Sequence, residues 1–353
     1  MTRAPSGPAL LVCCGLATLD VVQVVDHVPS PDEKIVAEDL QVTFGGPAAN
    51  AAATAVALGV RTVLVTALGS GPIADLVRAG LASAGVEVVD LLDGVPGSPP
   101  VSTVLVTRST GARAVASVNA TGVADLTAPA RAAAAWVLDG ATALLVDGHH
   151  VGAAQVLAAA ARAADIPVLL DGGSWKTGLG ALLGMVDHAV LSADFVLPDG
   201  ASRPSEPAAP GKPDGAGEPD GAGEPDGAGG LHGGVDALRG GVDGLLDAVA
   251  AFGPRVVGRS AGAGPLRLRV ATPDGVVTRS DIRPPLVPPN AVVDTLGAGD
   301  VLHGAIAAAL ARGVDASEAI QDGVRAASVS VRHHGALGWA ADRSRGALTR
   351  PEV

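Results

Sequence analysis

The chain has no tyrosine, three phenylalanines and three tryptophans, so aromatic residues make up only 2% of it. That scarcity argues against recognition by aromatic stacking, on which single-strand nucleic-acid binders rely. Lysine is almost as rare, at Lys34, Lys176 and Lys212, and none follows a glycine-rich loop at the Gly-x-x-x-x-Gly-Lys-Ser/Thr spacing, which excludes a P-loop nucleotide site. The two cysteines, Cys13 and Cys14, are adjacent and cannot build a disulfide framework, a pattern that fits a reducing compartment. Basic residues number 24 against 36 acidic ones, for a net charge of −12. A surface that acidic repels phosphate backbones and anionic headgroups, so neither a nucleic-acid nor a membrane partner is expected. Gly, Pro, Asn and Thr interrupt every candidate apolar run before about 18 residues, the minimum for a membrane span. Arg3 with the apolar run Pro8 to Ala17 superficially resembles a secretory signal, yet the β-branched stretch Val21, Val22, Val24, Val25 soon follows. We therefore read a buried first strand and expect a soluble, cytoplasmic protein.

What the chain does have is length, 353 residues, and 48% hydrophobic residues, chiefly Ala, Val and Leu. Continuous apolar runs alternate with Ala-rich helical stretches. The strand candidates are Leu10 to Gly15, Thr62 to Leu68, Val86 to Leu91, Ala143 to Val146, Ile166 to Leu170, His188 to Leu191 and Arg255 to Val257. Helical windows between them include Ala48 to Leu58, Ile73 to Ala84, Gly152 to Ala164 and Val235 to Ala251. Apolar strands separated by helices indicate a parallel sheet covered on both faces. The expected fold is α/β, a three-layer αβα sandwich with a mainly parallel central sheet, formed as one domain over 1–353. Residues 20–44 and 101–118 break the alternation with polar interruptions and are read as strands of a small sheet projecting over the site. A third hairpin, Leu266 to Thr278 around Pro273-Asp274-Gly275, extends the main sheet. From 198 to 234 the composition shifts to Gly, Pro, Ala, Asp and Glu, with a hexapeptide repeated from Gly211 to Ala228. These repeats hold no apolar side chain larger than Ala and cannot offset their ordering entropy, so the segment reads as a disordered insertion.

Two motifs carry chemistry. In Asp294-Thr295-Leu296-Gly297-Ala298-Gly299-Asp300, the small residues 297–299 let backbone amides approach an anion closely at the start of a helix, Val301 to Ala311. Gly297, Ala298 and Gly299 are therefore candidates for an anion hole, and Asp300 for the base that accepts a hydroxyl proton during phosphoryl transfer. The helix N-terminus is expected to keep Asp300 ionised with no upward shift of its pKa. The competing reading is an Asp that caps the helix. In Gly45-Gly46-Pro47-Ala48-Ala49-Asn50, the paired glycines allow a ligand to touch the backbone and Asn50 offers a donor and an acceptor to hydroxyls; a plain structural turn is the alternative. The pairs His149-His150 and His333-His334 lack a spaced ligand set and read as surface or turn histidines, so no metal ligand is assigned. Lys176 reads as a solvated loop lysine.

Together these segments resemble the PfkB/ribokinase family of sugar and nucleoside kinases, whose signatures are a Gly-Gly segment with a downstream Asn and a C-terminal Asp-Thr-x-Gly-Ala-Gly-Asp. The likeness covers nearly the whole chain apart from the insertion. Gly15 to Asp20, with Val25, Asp26, Pro29, Asp32 and Ile35, follows the ketohexokinase-like branch. The resemblance implies a ribokinase-like fold with a β-sheet lid, ATP and Mg²⁺ as cofactors with a monovalent cation left open, a sugar as acceptor, and a homodimer through the lid. It implies that Asp20, Asp32, Gly46 and Asn50 hold sugar hydroxyls. It also implies that Arg113 approaches the phosphates from the lid and that Gly264, Val324 and Ala327 form a shallow adenine pocket, with Thr295 and Asp194 on the nucleotide side. Three departures stand out. Ser192-Ala193-Asp194-Phe195 replaces the family's Asn-x-x-Glu, as in the ketohexokinase-like branch. Pro47 stands where that branch has an Asn, and Ser260 where Gly is usual. The expected function is an ATP-dependent phosphotransferase acting on an alcohol group of a ketohexose or related sugar. A nucleoside kinase and a non-catalytic sugar or nucleotide sensor are the alternatives.

Overall fold

The computed structural model describes residues 7–120, 122–198, 200–201 and 240–341. The insertion beyond residue 201 and the first part of the helical window from Val235 lie outside the described residues. The main sheet has nine strands in the order β13-β12-β11-β10-β9-β8-β1-β4-β5. Its parallel part comprises β1 (Leu10–Cys14), β4 (Arg61–Thr66), β5 (Glu87–Asp90), β8 (Ala143–Val146), β9 (Val168–Gly172), β10 (His188–Leu191) and β11 (Val256–Ala261). Strands β12 (Gly264–Ala271) and β13 (Val277–Ile282) add an antiparallel edge, which is the expected hairpin extension.

The central strands are apolar at every position because both faces are covered, and alternate residues point to opposite helix layers. Leu11, Cys13, Leu64 and Leu145 face α1 (Pro47–Ala57), α2 (Pro72–Ser83), α7 (Ala298–Ala311) and α8 (Ala316–Ser330). Leu10, Val12, Cys14 and Leu144 face α3 (Thr127–Val137), α4 (Val151–Ala163), α5 (Leu179–Leu183) and α6 (Gly241–Ala250). With so few aromatics, helices approach through small residues. A Cβ added at Gly304 of α7 would lie 2.5 Å from the Ala51 carbonyl oxygen of α1, so those two helices cross almost backbone to backbone.

The small sheet has the order β3-β2-β6-β7, built from β2 (Thr18–Val25), β3 (Asp39–Gly45), β6 (Val101–Thr107) and β7 (Arg113–Ser117). Pairing of Asp20 with Ser102, Val22 with Val104, and Val106 with Arg113 puts all six on one face of this lid. That face packs on Leu296 through Val22, Val104 and Val106. The lid thus presents Asp20 and Arg113 toward the Asp294–Asp300 motif.

Strand order places the site. From β1 the chain builds outward through β4 and β5, then returns to pair β8 on the other side of β1. Open parallel sheets bind ligands at the carboxyl ends of strands where the order reverses. Here that crevice opens beyond Cys14 and Val146.

Candidate active site

At the crevice Asp147 follows directly on β8. Its carboxylate accepts hydrogen bonds from the backbone N–H of Leu16 at 2.8 Å, Ala48 at 3.1 Å and His149 at 2.8 Å. A Cβ on Gly15 would sit 2.1 Å from that carboxylate, so glycine is required where β1 ends. Burial pushes Asp147 up, but His149 and the amides overcome it and hold the carboxyl down at about 2. The charged group is a strut that ties β8 to the first turn of α1. Gly46, with φ of 96°, starts that helix, and a Cβ there would meet the Leu16 carbonyl oxygen at 2.5 Å. Pro47 takes the first helical position, where its missing N–H costs nothing.

Two helices then meet over the sheet. Asn50 on α1 donates from Nδ2 to Oδ2 of Asp300 on α7 at 2.7 Å, which joins the two motifs. The N-cap of α7 is Gly297, with φ of 73° and no side-chain cap hydrogen bond. Asp300 lies in the first turn, its carboxylate is turned to Asn50, and the capping reading does not hold. A correction is needed on its charge. Burial first, and then the charge of Asp171, push Asp300 up to about 7, against the lowering effects of Asn50 and His303. The sequence expectation considered only the helix dipole and omitted two carboxylates arriving from neighbouring strand ends. Asp171, at the end of β9, is itself pushed up to about 8 by burial and by Asp147.

Thr295 is exposed, and its carbonyl accepts from Arg113 Nη1 at 2.9 Å, so the lid is joined to the motif by that contact as well as by Leu296. Asp294, which carried no assigned role, is buried and accepts from Leu296 N–H and Gly335 N–H, both at 2.8 Å. This pins the motif to the turn after α8. Gly299 has nothing within 4 Å of a built Cβ, leaving its backbone open to a ligand.

Asp20 is half-buried on the inner lid face. Its carboxylate accepts from Thr18 Oγ1 at 2.7 Å and lies so close to Gly45 that a Cβ there would be 1.9 Å away. Burial raises its pKa, against the hydrogen bonds of Thr18 and Ser102. Asp32 is exposed in the β2–β3 loop with φ of 64°, and no described contact joins it to Asn50 or Asp300. Val324 and Ala327 on α8 belong to the same apolar cluster as Leu266 and Leu268 of β12, the strand that Gly264 begins. Gly264 itself is half-buried, and a Cβ there would meet only Ala261.

Asp194 is exposed just past β10, where Arg259 Nη2 donates to the Ala193 carbonyl. An exposed carboxylate is of the chemistry that Mg²⁺ uses, since that ion binds through one or two carboxylates together with nucleotide phosphates and retained waters. Among the described residues no helix is long and apolar enough to cross a membrane.

The structure adds groups that the motifs did not reveal. The side chain of His149 is only 13% exposed, with Nδ1 3.3 Å from Asp147, so of the two readings of His149-His150 the turn holds and not the surface. These residues turn the chain from β8 into α4. His150, the N-cap, is left-handed with φ of 50°, and burial lowers its pKa. Lys176 is half-buried in its loop; burial lowers its pKa against the pull of Asp147 and Asp171. A cleft of about 440 Å³ opens here, lined among others by Asn119, Val123, Leu126, His149, His150 and Lys176. The available signal was an acidic residue closing each wholly apolar strand, Val146-Asp147 and Leu170-Asp171, next to a glycine.

Comparisons with known proteins bear on family and fold. The sequence profile of the pfkB family carbohydrate kinases matches residues 8–194 and 274–340. Ketohexokinase of Mus musculus is 30% identical over 105 residues, a match that spans 30% of this chain and 35% of that protein. The fold superposes on the ribokinase of Arabidopsis thaliana complexed with ribose and ATP with a TM-score of 0.64 at 20% identity, covering 98% of this chain and 100% of that one. It superposes on the ribokinase of Thermotoga maritima with a TM-score of 0.66 at 18% identity, covering 96% and 99%. The architecture is ribokinase-like, and the extent of the profile match, through both the Gly-Gly segment and the Asp300 motif, shows that the chain belongs to the pfkB family of carbohydrate kinases.

Proposed function

We propose that the protein is an ATP-dependent sugar kinase that transfers the γ-phosphoryl group to a hydroxyl of a ketohexose or related sugar. The observation that carries this reading is the Asn50–Asp300 contact of 2.7 Å in the first turn of α7, a carboxylate next in sequence to Gly299, whose built Cβ has nothing within 4 Å. Asp300 accepts the proton of the acceptor hydroxyl while the amides of residues 297–299 hold the charge of the phosphoryl group. Asp20, Asp32, Gly46 and Asn50 hold the sugar hydroxyls, which requires the β2–β3 loop to bring Asp32 inward when sugar binds. Arg113, Thr295, Gly264, Val324 and Ala327 hold the nucleotide. Asp194 would hold Mg²⁺ together with the phosphates, and the ion would supply charge neutralisation there. Lid closure excludes water that would otherwise compete for the phosphoryl group. The outer lid face exposes Leu40 and Val42, which fits a homodimer through the lid. Light scattering on purified protein checks that: twice the chain mass is expected.

ADP release measured with fructose, ribose and adenosine side by side tests the reading, and fructose is expected to turn over fastest. The cleft of about 440 Å³ favours a second reading, because its lining of Val123, Leu126 and two histidines leaves room for a group larger than a hexose. Adenosine ahead of both sugars would establish that nucleoside-kinase reading. Sugar and ATP binding by calorimetry with no ADP made would establish a sensor.

Asn50 yields a further expectation. Its Nδ2 stabilises the charged form of Asp300, and a hydrogen bond to a charged group contributes about 1.5 to 3 kcal/mol. Asn50→Ala is therefore expected to move the acidic limb of the kcat/KM profile up by about one pH unit or more, since one unit corresponds to about 1.4 kcal/mol. At pH 6 the variant should lose roughly a further tenfold relative to its own rate at pH 9. Parallel pH profiles for the two proteins would contradict the assignment.

A further inference from the structure

One turn beyond Asp300, α7 carries a buried histidine that the proposed chemistry does not use. The side chain of His303 is 4% exposed and that of Asp171 is 8% exposed. The two ring nitrogens of His303 both face backbone carbonyl oxygens: Nδ1 lies 2.7 Å from Gly299 O, and Nε2 lies 3.0 Å from Val190 O. Nδ1 is also 3.2 Å from Oδ2 of Asp171. A carbonyl oxygen can only accept, and a neutral imidazole has one N–H to give. Any neutral tautomer therefore sets a ring lone pair against a carbonyl lone pair in a dry interior, a mismatch that buried polar groups avoid. Burial by itself favours a neutral pair, with a proton on Asp171 and none on Nδ1. That arrangement would leave the short Nδ1 to Gly299 contact repulsive. With the same net charge and the proton moved to the ring, both carbonyls are satisfied and Nδ1–H is shared between Gly299 O and the Asp171 carboxylate.

We propose that His303 is a buried imidazolium, charge-paired with Asp171, that positions the Gly299–Asp300 peptide and keeps Asp300 in its ionised form. The proposal rests on the reading of Asp300 as the group that receives the acceptor's proton. Its consequences are local. The Gly299 carbonyl belongs to the peptide whose N–H is that of Asp300, so an N–H donated to that carbonyl polarises the peptide and strengthens its amide as a donor at the helix start. Other titratable groups face the pair from several elements. Burial pushes the ring's pKa down; the Val190 and Gly299 carbonyls, Asp300 from α7 itself and Asp147 from the end of β8 work against it and favour the charged ring. His149 and Lys176, from the loops after β8 and β9, favour the charged form of Asp171 against burial and Asp147, which oppose it. Asp147 and Asp171 thus end neighbouring interior strands with Asp300 facing them from α7, and the ring supplies a cation to this group. His303 is a positioning residue, since it touches neither acceptor nor nucleotide.

Two measurements that need no turnover test this. In protein labelled with ¹⁵N at histidine, the ring signals of His303 are assigned by their loss in His303→Gln. Both ring nitrogens are expected to stay protonated from pH 6 to pH 9. A signal of an unprotonated ring nitrogen at pH 7.5 would overturn the imidazolium. In protein labelled with ¹³C at the Asp side-chain carboxyl, the Asp300 signal is assigned by its loss in Asp300→Asn. Its midpoint is expected to rise by about one pH unit in His303→Gln, because a neighbouring cation of the opposite sign has been removed. An unchanged midpoint would overturn the positioning role. If His303→Gln does not fold, the wild-type ¹⁵N spectrum still decides on the imidazolium, and His303→Asn, which fills less space, serves for the carboxyl titration. The kcat/KM profile of the variant should follow with an acidic limb about one unit higher, about tenfold slower at pH 6. Should the Asp300 midpoint move while no acceptor of the panel is phosphorylated, the electrostatic pair stands and the kinase reading falls. An Asp300 midpoint that stays put in an active variant does the reverse.

Discussion

Asp300→Asn is expected to lower turnover by about 10³ to 10⁴-fold while ATP binding, measured by calorimetry, stays at least as tight. Positioned proton transfer contributes about 10² to 10⁴-fold, and the amide of Asn can neither take the proton nor orient the hydroxyl with a full charge. Losing the negative charge beside the anion hole removes a repulsion from the phosphates, so binding does not suffer. The same substitution is expected to stabilise the fold at neutral and alkaline pH. Asp300 is raised from its ordinary 3.8 to about 7. The folded chain therefore holds a proton where the unfolded chain has released it, and the stability associated with that proton is fully present below about pH 4 and lost as pH rises through about 7. Above that window the wild type carries a buried charge that Asn lacks. Because Asp300 is half-buried and bonded to Asn50, only part of the shift is realised, so we expect about 1 to 2 kcal/mol, or roughly 2 to 6 °C in Tm at pH 8. At pH 4 the two proteins should melt alike. A variant that is inactive and also less stable at pH 8 would mean that Asp300 serves the fold, not the reaction.

Gly297→Ala is the second large effect. Gly297 has φ of 73°, and an added Cβ would lie 2.4 Å from the Cβ of Ala336 and 3.0 Å from its Cα. A left-handed non-glycine residue costs about 1 to 2 kcal/mol by itself. The clash adds to this, because the turn at Ala336 is held by the Gly335 N–H bond to Asp294 and cannot move without breaking it. We expect a loss of about 2 to 4 kcal/mol in stability and of about 10² to 10³-fold in turnover, the scale seen when an oxyanion donor is displaced. Gly275→Ala provides the control. Gly275 also has positive φ, 87°, but nothing lies within 4 Å of its built Cβ. It should show the strain cost alone, with activity intact. Equal Tm losses in the two variants would mean that packing against Ala336 contributes nothing.

The sheet was legible in the sequence because its strands are buried on both faces and therefore continuously apolar. Ala143 to Val146 and His188 to Leu191 have the bounds read from the sequence. Strands β1, β4 and β5 end at Cys14, Thr66 and Asp90, short of the bounds read for them, whereas two others extend toward the site. Strand β9 runs to Gly172 and β11 to Ala261, past the apolar stretch that marked them, because strand ends lining a crevice carry polar residues such as Asp171 and Arg259. Of the site, the motif residues were legible because anion binding at a helix start demands small residues at fixed spacing. The contact between Asn50 and Asp300 joins positions 250 residues apart. Asp147, Asp171 and His303 were not legible as a group, because each comes singly from a different element and acts by burial. That also explains the wrong expectation for the charge of Asp300: local sequence supplies the helix dipole, whereas desolvation and the two strand-end carboxylates exist only in the assembled fold.

The most direct test is a crystal structure of the protein with fructose and a non-hydrolysable ATP analogue. The account predicts one Asp300 carboxylate oxygen within hydrogen-bond distance of the acceptor hydroxyl and the terminal phosphoryl group against the amides of residues 297–299. An Asp300 side chain separated from the acceptor by more than a water molecule, with the phosphates seated elsewhere, would contradict it.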